Sequence, residues 1–131
     1  MNQGARPVTL GQVLISIVIP AFNEVKYLPV SLEAAHRSRA VLGQAGWTSE
    51  VIVCDNNSTD DTAAVAKDNG ARVVFEQFNQ IAASRNAAAR AARGDWLVFV
   101  DADTQVTPKL FREMMCAMVR DDCLGGGCPV K

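Results

Sequence analysis

The protein has 131 residues, of which 49% are hydrophobic and 21% charged, and its formal net charge is −1 at pH 7. This length and apolar content are enough for one buried core, which excludes a largely disordered chain. The near-zero net charge argues against an extended nucleic-acid-binding surface, because such surfaces need a strong basic excess. No apolar stretch is long enough to span a bilayer, so no transmembrane segment is predicted.

The cysteines do not form a zinc-type pattern. None of the four cysteines belongs to a C-x-x-C pair, and the single histidine, His36, lies far from most of them. We interpret them as reduced thiols, with Cys54 acting as a small buried hydrophobic residue inside an apolar run. Together with the lack of a signal peptide in residues 1–12, this predicts a cytoplasmic protein.

Four short apolar runs alternate with helical patterns along the chain. The predicted strands are Leu14–Ile19, Glu50–Cys54, Arg72–Phe75 and Trp96–Val100, and Pro20 is expected to end the first of them. Because these runs are nearly continuously apolar, they favour strands that are covered on both faces, as in a parallel sheet.

The first two helices are predicted from periodicity and capping residues. Apolar residues recur on one helical face between Leu28 and Leu42, and Pro29 suits a first turn. Ser58 is the expected N-cap of the second helix, with Asp61 completing an approximate capping box.

The last two helices are predicted from composition and from an apolar stripe. Residues 81–93 are rich in alanine, and Thr107-Pro108 is a typical helix start. The stripe of the fourth helix consists of Leu110, Phe111, Met114, Met115 and Met118. The order βαβαβαβα predicts an α/β fold with an open, mostly parallel, Rossmann-like sheet and helices on both faces.

Polar residues follow the strands at the carboxyl edge, where open α/β sheets bind their ligands. Two carboxylates, Asp101 and Asp103, directly follow the fourth strand, and such a pair can converge on Mg²⁺ or Mn²⁺; the alternative is a turn or a helix cap. Asp55, after the second strand, can accept hydrogen bonds from a nucleobase or ribose, can form an Asx turn before Ser58, or can do both. Neither G-x-G-x-x-G nor a P-loop is present, so a metal would have to neutralise bound phosphates.

Four segments together resemble the nucleotide-sugar-binding half of a family 2 glycosyltransferase with the GT-A fold. They are Ser16–Glu24, Val53–Asp60, Ser84–Asn86 with Arg93–Asp95, and Phe99–Asp103. The resemblance implies a cytoplasmic enzyme that transfers a sugar from a UDP- or GDP-type nucleotide-diphospho-sugar, with Mg²⁺ or Mn²⁺ as cofactor. It implies that the reaction inverts the configuration of the sugar.

The resemblance also implies roles for individual residues. The implied donor-binding residues are Pro20, Ala21, Glu24, Asp55, Arg85, Asn86 and Asp101, with Asp55 hydrogen-bonded to the base. The implied metal ligands are Asp103, as the more direct ligand, and Asp101. No residue here matches the catalytic base, which is expected beyond Lys131.

The predicted organisation is an N-terminal extension at 1–13, the nucleotide-sugar-binding half at 14–120, and the start of a missing acceptor-binding half at 121–131. The glycine-rich end at residues 125–128 fits the approach to that half, so we expect the 131 residues alone to be inactive. The acceptor is unknown; a lipid or a polysaccharide fits, and a lipid acceptor would make the protein peripheral at the inner membrane face.

Two other functions remain open from the sequence. One is a non-catalytic nucleotide-sugar-binding module that kept the fold. The other is a phosphoacceptor signalling domain, which has similar length and acidic strand ends, although its acids follow strands one and three rather than two and four. Sugar nucleotidyltransferases share much of the fold, but their glycine-rich N-terminal signature is absent.

Overall fold

The computed structural model describes residues 13–123, and the predicted order of strands and helices is confirmed in it. The strands are β1 (Leu14–Ala21), β2 (Thr48–Asp55), β3 (Arg72–Phe75) and β4 (Trp96–Phe99). The helices are α1 (Leu28–Gln44), α2 (Thr62–Asp68), α3 (Ile81–Ala91) and α4 (Pro108–Cys123). Helix α4 therefore continues past the predicted boundary at residue 120, and the predicted N-terminal extension and glycine-rich end lie almost entirely outside the described residues.

The four strands form one parallel sheet in the order β3-β2-β1-β4. Strand β1 is central: Ile17 pairs with Val51 of β2 on one side and with Val98 of β4 on the other. This confirms the open, parallel, Rossmann-like sheet predicted from the sequence. The chain moves outward from β1 to β3 and then returns to the other side of β1, which creates a topological switch point between β1 and β4.

Each face of the sheet is covered by different helices. Helix α1 packs against α4 and α2, and Ile15, Ile17 and Ile19 of β1 are fully buried in the core that these helices share. Burial of each such side chain contributes roughly 1.5–3 kcal/mol. Helix α3 contacts β1, β2 and β3 on the opposite face. Strand β4 differs from the prediction, because Leu97 and Phe99 on that face are 37% and 36% exposed.

Pro20 lies inside β1 instead of ending it. The last hydrogen bond from β4 to β1 joins the Val100 N–H to the Val18 carbonyl at 2.9 Å, whereas Ala21 accepts from the Asn56 N–H at 2.8 Å on the β2 side. Backbone groups of successive residues in a strand point to opposite neighbouring strands, so the nitrogen of Pro20 faces the β4 side. The β4 pairing has already ended at this point, so the lack of an N–H on Pro20 has no effect on it. No ladder hydrogen bond is lost, and the strand continues by two residues.

The predicted capping box at Ser58 is wrong. Helix α2 begins only at Thr62, with Asp61 at the N-cap position. Ser58 lies in the preceding loop, where its Oγ accepts a hydrogen bond from the Asn23 N–H at 2.9 Å. The hydroxyl is therefore used for a contact between two loops, and that contact competes with a local cap.

The prediction for the start of α4 is confirmed. The Thr107 Oγ1 accepts a hydrogen bond from the Leu110 N–H at 3.1 Å, and Pro108 is the first helical residue. Along the predicted stripe, Phe111, Met115 and Met118 are buried, whereas Leu110 is 48% exposed.

Replacement of Thr107 by alanine is expected to lower the free energy of unfolding by about 1 kcal/mol, because the Leu110 N–H loses its partner. Urea unfolding measures this change. Thr107→Ser should retain most of the stability, and an equal loss in both variants would contradict the capping role.

The expectation that the cysteines are reduced thiols holds for Cys54 and fails for Cys116. Cys54 is a buried free thiol, and burial raises its pKa, which suits an inert hydrophobic role. Cys116 is disulfide-bonded, so the expectation of reduced thiols is wrong at this position.

Candidate functional site

A pocket of about 310 Å³ opens at the carboxyl edge of the sheet, at the switch point between β1 and β4. It is lined by Pro20, Ala21, Phe22, Glu24, Asn56, Ile81, Ser84, Arg85, Phe99 and Asp101. Five of the seven predicted donor-binding residues are thus brought together here, and Asp55 and Asn86 are not part of the wall. The location matches the position where open α/β sheets bind ligands.

The loop after β1 is held in place by the loop after β2. The Thr59 N–H donates to Asn23 Oδ1 at 2.8 Å, and the Glu24 N–H donates to Thr62 Oγ1 at 3.0 Å. Asn23 has a positive φ of 52°, a conformation that asparagine tolerates better than most residues. These bonds fix the backbone that carries Glu24 to the pocket.

Asp55 is buried at the end of β2 and supports the following turn. Its Oδ1 accepts a hydrogen bond from the Ser58 N–H at 3.1 Å, so the turn-forming alternative considered from the sequence is present. The next residue, Asn56, forms part of the pocket wall. Sequence reasoning missed Asn56 because it favoured the acidic residue at the strand end over the amide that follows it.

Glu24 lies close enough to two other carboxylates to feel their charges. Burial raises the pKa of Glu24, and the negative charges of Asp103 and Asp60 raise it further. Asp101 and Asp103 are both exposed, and the buried Ala102 lies between them. Carboxylates in such mutual repulsion offer hard oxygen ligands to a cation. Nevertheless, the part of the chain that the structure describes contains no group of three or more His, Cys, Asp or Glu residues arranged to hold a metal ion by itself.

Asp60 has a local role. It accepts hydrogen bonds from the Thr62 hydroxyl and, at 2.9 Å, from the Thr62 N–H. The hydroxyl contact in particular lowers the pKa of Asp60. Asp60 therefore supports the start of α2.

Helix α3 supplies the remaining wall of the pocket. The Arg85 guanidinium lies over the Phe99 ring, with 4.8 Å between its carbon and the ring centroid, and this cation–π contact holds the cation at the wall. Asn86 is exposed and is not one of the lining residues. Phe22, Ile81 and Phe99 add apolar surface that the sequence did not indicate.

The Arg93–Asp95 segment lies at the opposite, amino edge of the sheet and has a structural role. The Arg93 N–H donates to Glu50 Oε2 at 2.8 Å, and the Gly94 N–H donates to Ser16 Oγ at 2.8 Å. The Asp95 carboxylate accepts from the Leu14 N–H at 2.9 Å. These bonds position the connection between α3 and β4.

Glu50 is the centre of this network. Its Oε2 accepts from Ser16 Oγ at 2.6 Å, and its Oε1 pairs with Arg72 at 3.0 Å. Arg72 also donates to the Ala91 carbonyl at the end of α3, at 2.7 Å. Burial acts to raise the pKa of Glu50, but the hydrogen bonds from Ser16 and the Arg93 N–H, together with Arg72, lower it overall.

The stability that depends on Glu50 is expected to be lost in acid. Because the pKa of Glu50 is lowered by folding, its contribution is full above the ordinary value of 4.5 and disappears as the pH falls through the lower folded-state value. The difference in free energy of unfolding between the wild type and Glu50→Gln should therefore narrow below pH 4.5. Urea unfolding between pH 3 and pH 7, in about half-unit steps, measures this; a constant difference would contradict it.

Comparisons with known proteins identify the family. The model of the family described as "Glycosyl transferase family 2" matches residues 16–130. An uncharacterized glycosyltransferase of Mycobacterium tuberculosis (strain ATCC 25618 / H37Rv) is 36% identical over 104 residues, which cover 76% of this chain and 43% of that protein. A similar protein of Rickettsia prowazekii (strain Madrid E) is 35% identical over 82 residues, 63% of this chain and 28% of that protein. The chain thus spans less than half the length of these curated relatives.

A solved structure supports the same assignment. Glucosyl-3-phosphoglycerate synthase from Mycobacterium tuberculosis, in complex with Mn²⁺, uridine diphosphate and glucosyl-3-phosphoglycerate, matches with a TM-score of 0.62 and 28% identity, over 82% of this chain and 39% of that chain. Among the residues that the structure describes, no helix combines the length and apolarity needed to cross a membrane. The motif order, the parallel sheet and these matches agree: the chain belongs to glycosyl transferase family 2 and has its Rossmann-like GT-A fold.

Proposed function

We propose that this chain carries the donor- and metal-binding part of an inverting glycosyltransferase that uses a UDP- or GDP-type nucleotide-diphospho-sugar. The observation that carries the proposal is the pocket at the β1/β4 switch point, which unites Pro20, Ala21, Glu24, Arg85 and Asp101. The related synthase of Mycobacterium tuberculosis was solved with Mn²⁺ and uridine diphosphate, which supports a donor of this class. The acceptor, a lipid or a polysaccharide, is part of the proposal, as is a cytoplasmic location or a peripheral one at the inner membrane face.

The residues present fit a divalent cation beside the pocket. Asp103 and Asp101 would hold Mg²⁺ or Mn²⁺, whose charge would offset the negative charge that develops on the departing nucleoside diphosphate. Asp103 and Glu24 repel each other, as the raised pKa of Glu24 shows. A bound cation would offset this repulsion. Two protein carboxylates leave coordination positions free for phosphate oxygens.

The other residues would bind and orient the donor. The loop from Pro20 to Glu24 would lie along the base and ribose. Asp55, which also orders the turn after β2, would accept a hydrogen bond from the base. Arg85 offers a fixed positive charge at the wall, and Asn86 would contribute from the same helix. Catalytic proton removal from the acceptor is proposed to involve a carboxylate outside residues 1–131.

The sheet order argues against the phosphoacceptor alternative. Phosphoacceptor domains of the flavodoxin-like type have the strand order 2-1-3-4-5, whereas the four strands described here have the order 3-2-1-4, as in dinucleotide-binding sheets. The other alternative, a non-catalytic nucleotide-sugar-binding module, would need the same pocket as an enzyme, so the pocket does not distinguish the two. A sugar-transfer assay with the complete gene product separates it from an enzyme.

Calorimetric titration with uridine diphosphate, in Mn²⁺ and in excess chelator, tests the proposed function. We expect weak binding that requires the metal, because Arg85 supplies one positive charge at the wall and a cation near Asp103 would have to offset the rest of the diphosphate charge. Equal affinity in chelator would contradict the metal role. Detectable sugar transfer by residues 1–131 alone would contradict the proposal that the base lies elsewhere.

A further inference from the structure

We propose that Phe99 is a positioning residue, whose ring holds the Arg85 guanidinium in place for the negatively charged diphosphate of the donor. The inference rests on the donor-binding function proposed above and adds to it a role for a residue that has no charge and no polar group. Phe99 is the last residue of β4 and, like Arg85, lines the pocket at the carboxyl edge of the sheet.

The Phe99 side chain is not part of the hydrophobic core. It is 36% exposed, because α3 packs mainly against β1, β2 and β3 and leaves this face of β4 open. The ring therefore gains less from burial than a core phenylalanine does. Its face instead carries the Arg85 guanidinium, whose carbon lies 4.8 Å from the ring centroid, well within the range of a cation–π contact.

The guanidinium of Arg85 keeps its hydrogen-bond donors free. Among the residues that the structure describes, none forms an ion pair or a hydrogen bond with the Arg85 side chain. Arg72 differs, because its guanidinium donates to Glu50 and to the Ala91 carbonyl. An aromatic face attracts a cation electrostatically and leaves the N–H groups in the guanidinium plane available. Arg85 thus combines a restrained position with unused donors, and both favour bidentate contact with a phosphate.

Restraint of Arg85 before the ligand arrives lowers the cost of binding. A long side chain on an exposed helix face loses rotamer freedom when it contacts an anion, and this loss typically weakens binding by about three- to tenfold. A carboxylate partner would also restrain Arg85, but it would offset the charge and occupy the donors that the diphosphate needs. The ring of Phe99 restrains the side chain without either effect.

Calorimetric titration of the chain with uridine diphosphate in Mn²⁺ tests the inference. Phe99→Leu keeps an apolar side chain but removes the ring, so it should weaken binding about three- to tenfold. Phe99→Tyr keeps the ring and should bind within about twofold of the wild type. Leu97→Ala is the matched control and should bind as the wild type does. Leu97 lies on the same face of β4, is 37% exposed and does not line the pocket.

A double variant shows whether Phe99 acts through Arg85. In the Arg85→Ala background, Phe99→Leu should cause no further loss of affinity, because no guanidinium remains to be held. An equal loss in both backgrounds would show that the ring contacts the nucleotide itself. That result, or undiminished binding in Phe99→Leu alone, overturns the inference, and the donor-binding function stands. If the wild type does not bind uridine diphosphate, the donor-binding function is overturned and the inference with it.

Nuclear magnetic resonance of the nucleotide-free chain tests the ring contact separately. An aromatic face over the guanidinium shifts the Arg85 Hδ and Hε resonances upfield. This shift should vanish in Phe99→Leu and persist in Phe99→Tyr and Leu97→Ala. Unshifted Arg85 resonances in the wild type would overturn the inference whatever the result of the nucleotide titration.

Discussion

Replacement of Asp103 by alanine is expected to weaken binding of uridine diphosphate in Mn²⁺ by about 100-fold or more. Loss of groups that only support metal ligands typically costs 10–100-fold, and the loss of a direct ligand should cost at least as much. The physical reason is that the remaining carboxylates would hold the cation too weakly for it to offset the diphosphate. Calorimetric titration measures the affinity, and the same titration with Mn²⁺ alone reports the metal site directly.

The matched control for this prediction is Asp61→Ala. Asp61 is also an exposed aspartate near the carboxyl edge, and it makes no side-chain capping bond to α2. The two variants change the net charge equally, so a general electrostatic effect would appear in both. Unchanged metal-dependent binding in Asp103→Ala, or an equal loss in both variants, would contradict the assignment of Asp103.

Replacement of Gly94 by alanine is expected to destabilise the fold by roughly 2–4 kcal/mol, a large effect for a single methyl group. A Cβ at this position would lie 2.5 Å from Ser16 Oγ, 2.7 Å from the Ser16 nitrogen and 2.9 Å from the Leu14 oxygen. Two of these atoms belong to the backbone of the central strand, so a change of rotamer cannot relieve the contact. Urea unfolding at pH 7 measures the loss.

Gly43→Ala is the control for Gly94→Ala. Gly43 lies within α1, and a Cβ there would meet nothing within 4 Å. Because alanine is the better helix former, this variant should be neutral or up to about 1 kcal/mol more stable. A similar destabilisation in both variants would show that the contact at Ser16 is not the cause.

The strong signals in the sequence were those that depend on local chemistry. Apolar β-branched runs, the alanine-rich segment of α3 and the Thr107-Pro108 start of α4 each predict their own conformation from neighbouring residues. The alternation of these elements was enough to predict a parallel sheet. Pro20 was the exception, because whether a proline ends a strand depends on which neighbour its nitrogen faces.

The residues of the site were predictable to the extent that they follow strands. Asp101 was predicted because the carboxyl edge of an open sheet is the place where ligands bind, whereas Pro20 and Glu24 were implied by the family resemblance. The roles of Ser58 and Asp55 could not be predicted in this way. Each side chain can cap a helix, stabilise a turn or bind a ligand, and the local energies of these bonds are similar. Only the position of the loop after β1 decides which of these bonds is made.

Gly94 belongs to the Arg93–Asp95 segment, and it lies so close to β1 that a Cβ there would come within 2.7 Å of the Ser16 nitrogen. The sequence by itself determined the number, type and order of the elements and the edge on which polar residues collect. The tertiary structure decided the sheet order and the hydrogen bond from Asn56 to Asn79. It also decided the effect of the Asp103 charge on the pKa of Glu24 and the hydrogen-bond network around Glu50. These features join residues far apart in sequence, and their energies depend on distances that no local pattern contains.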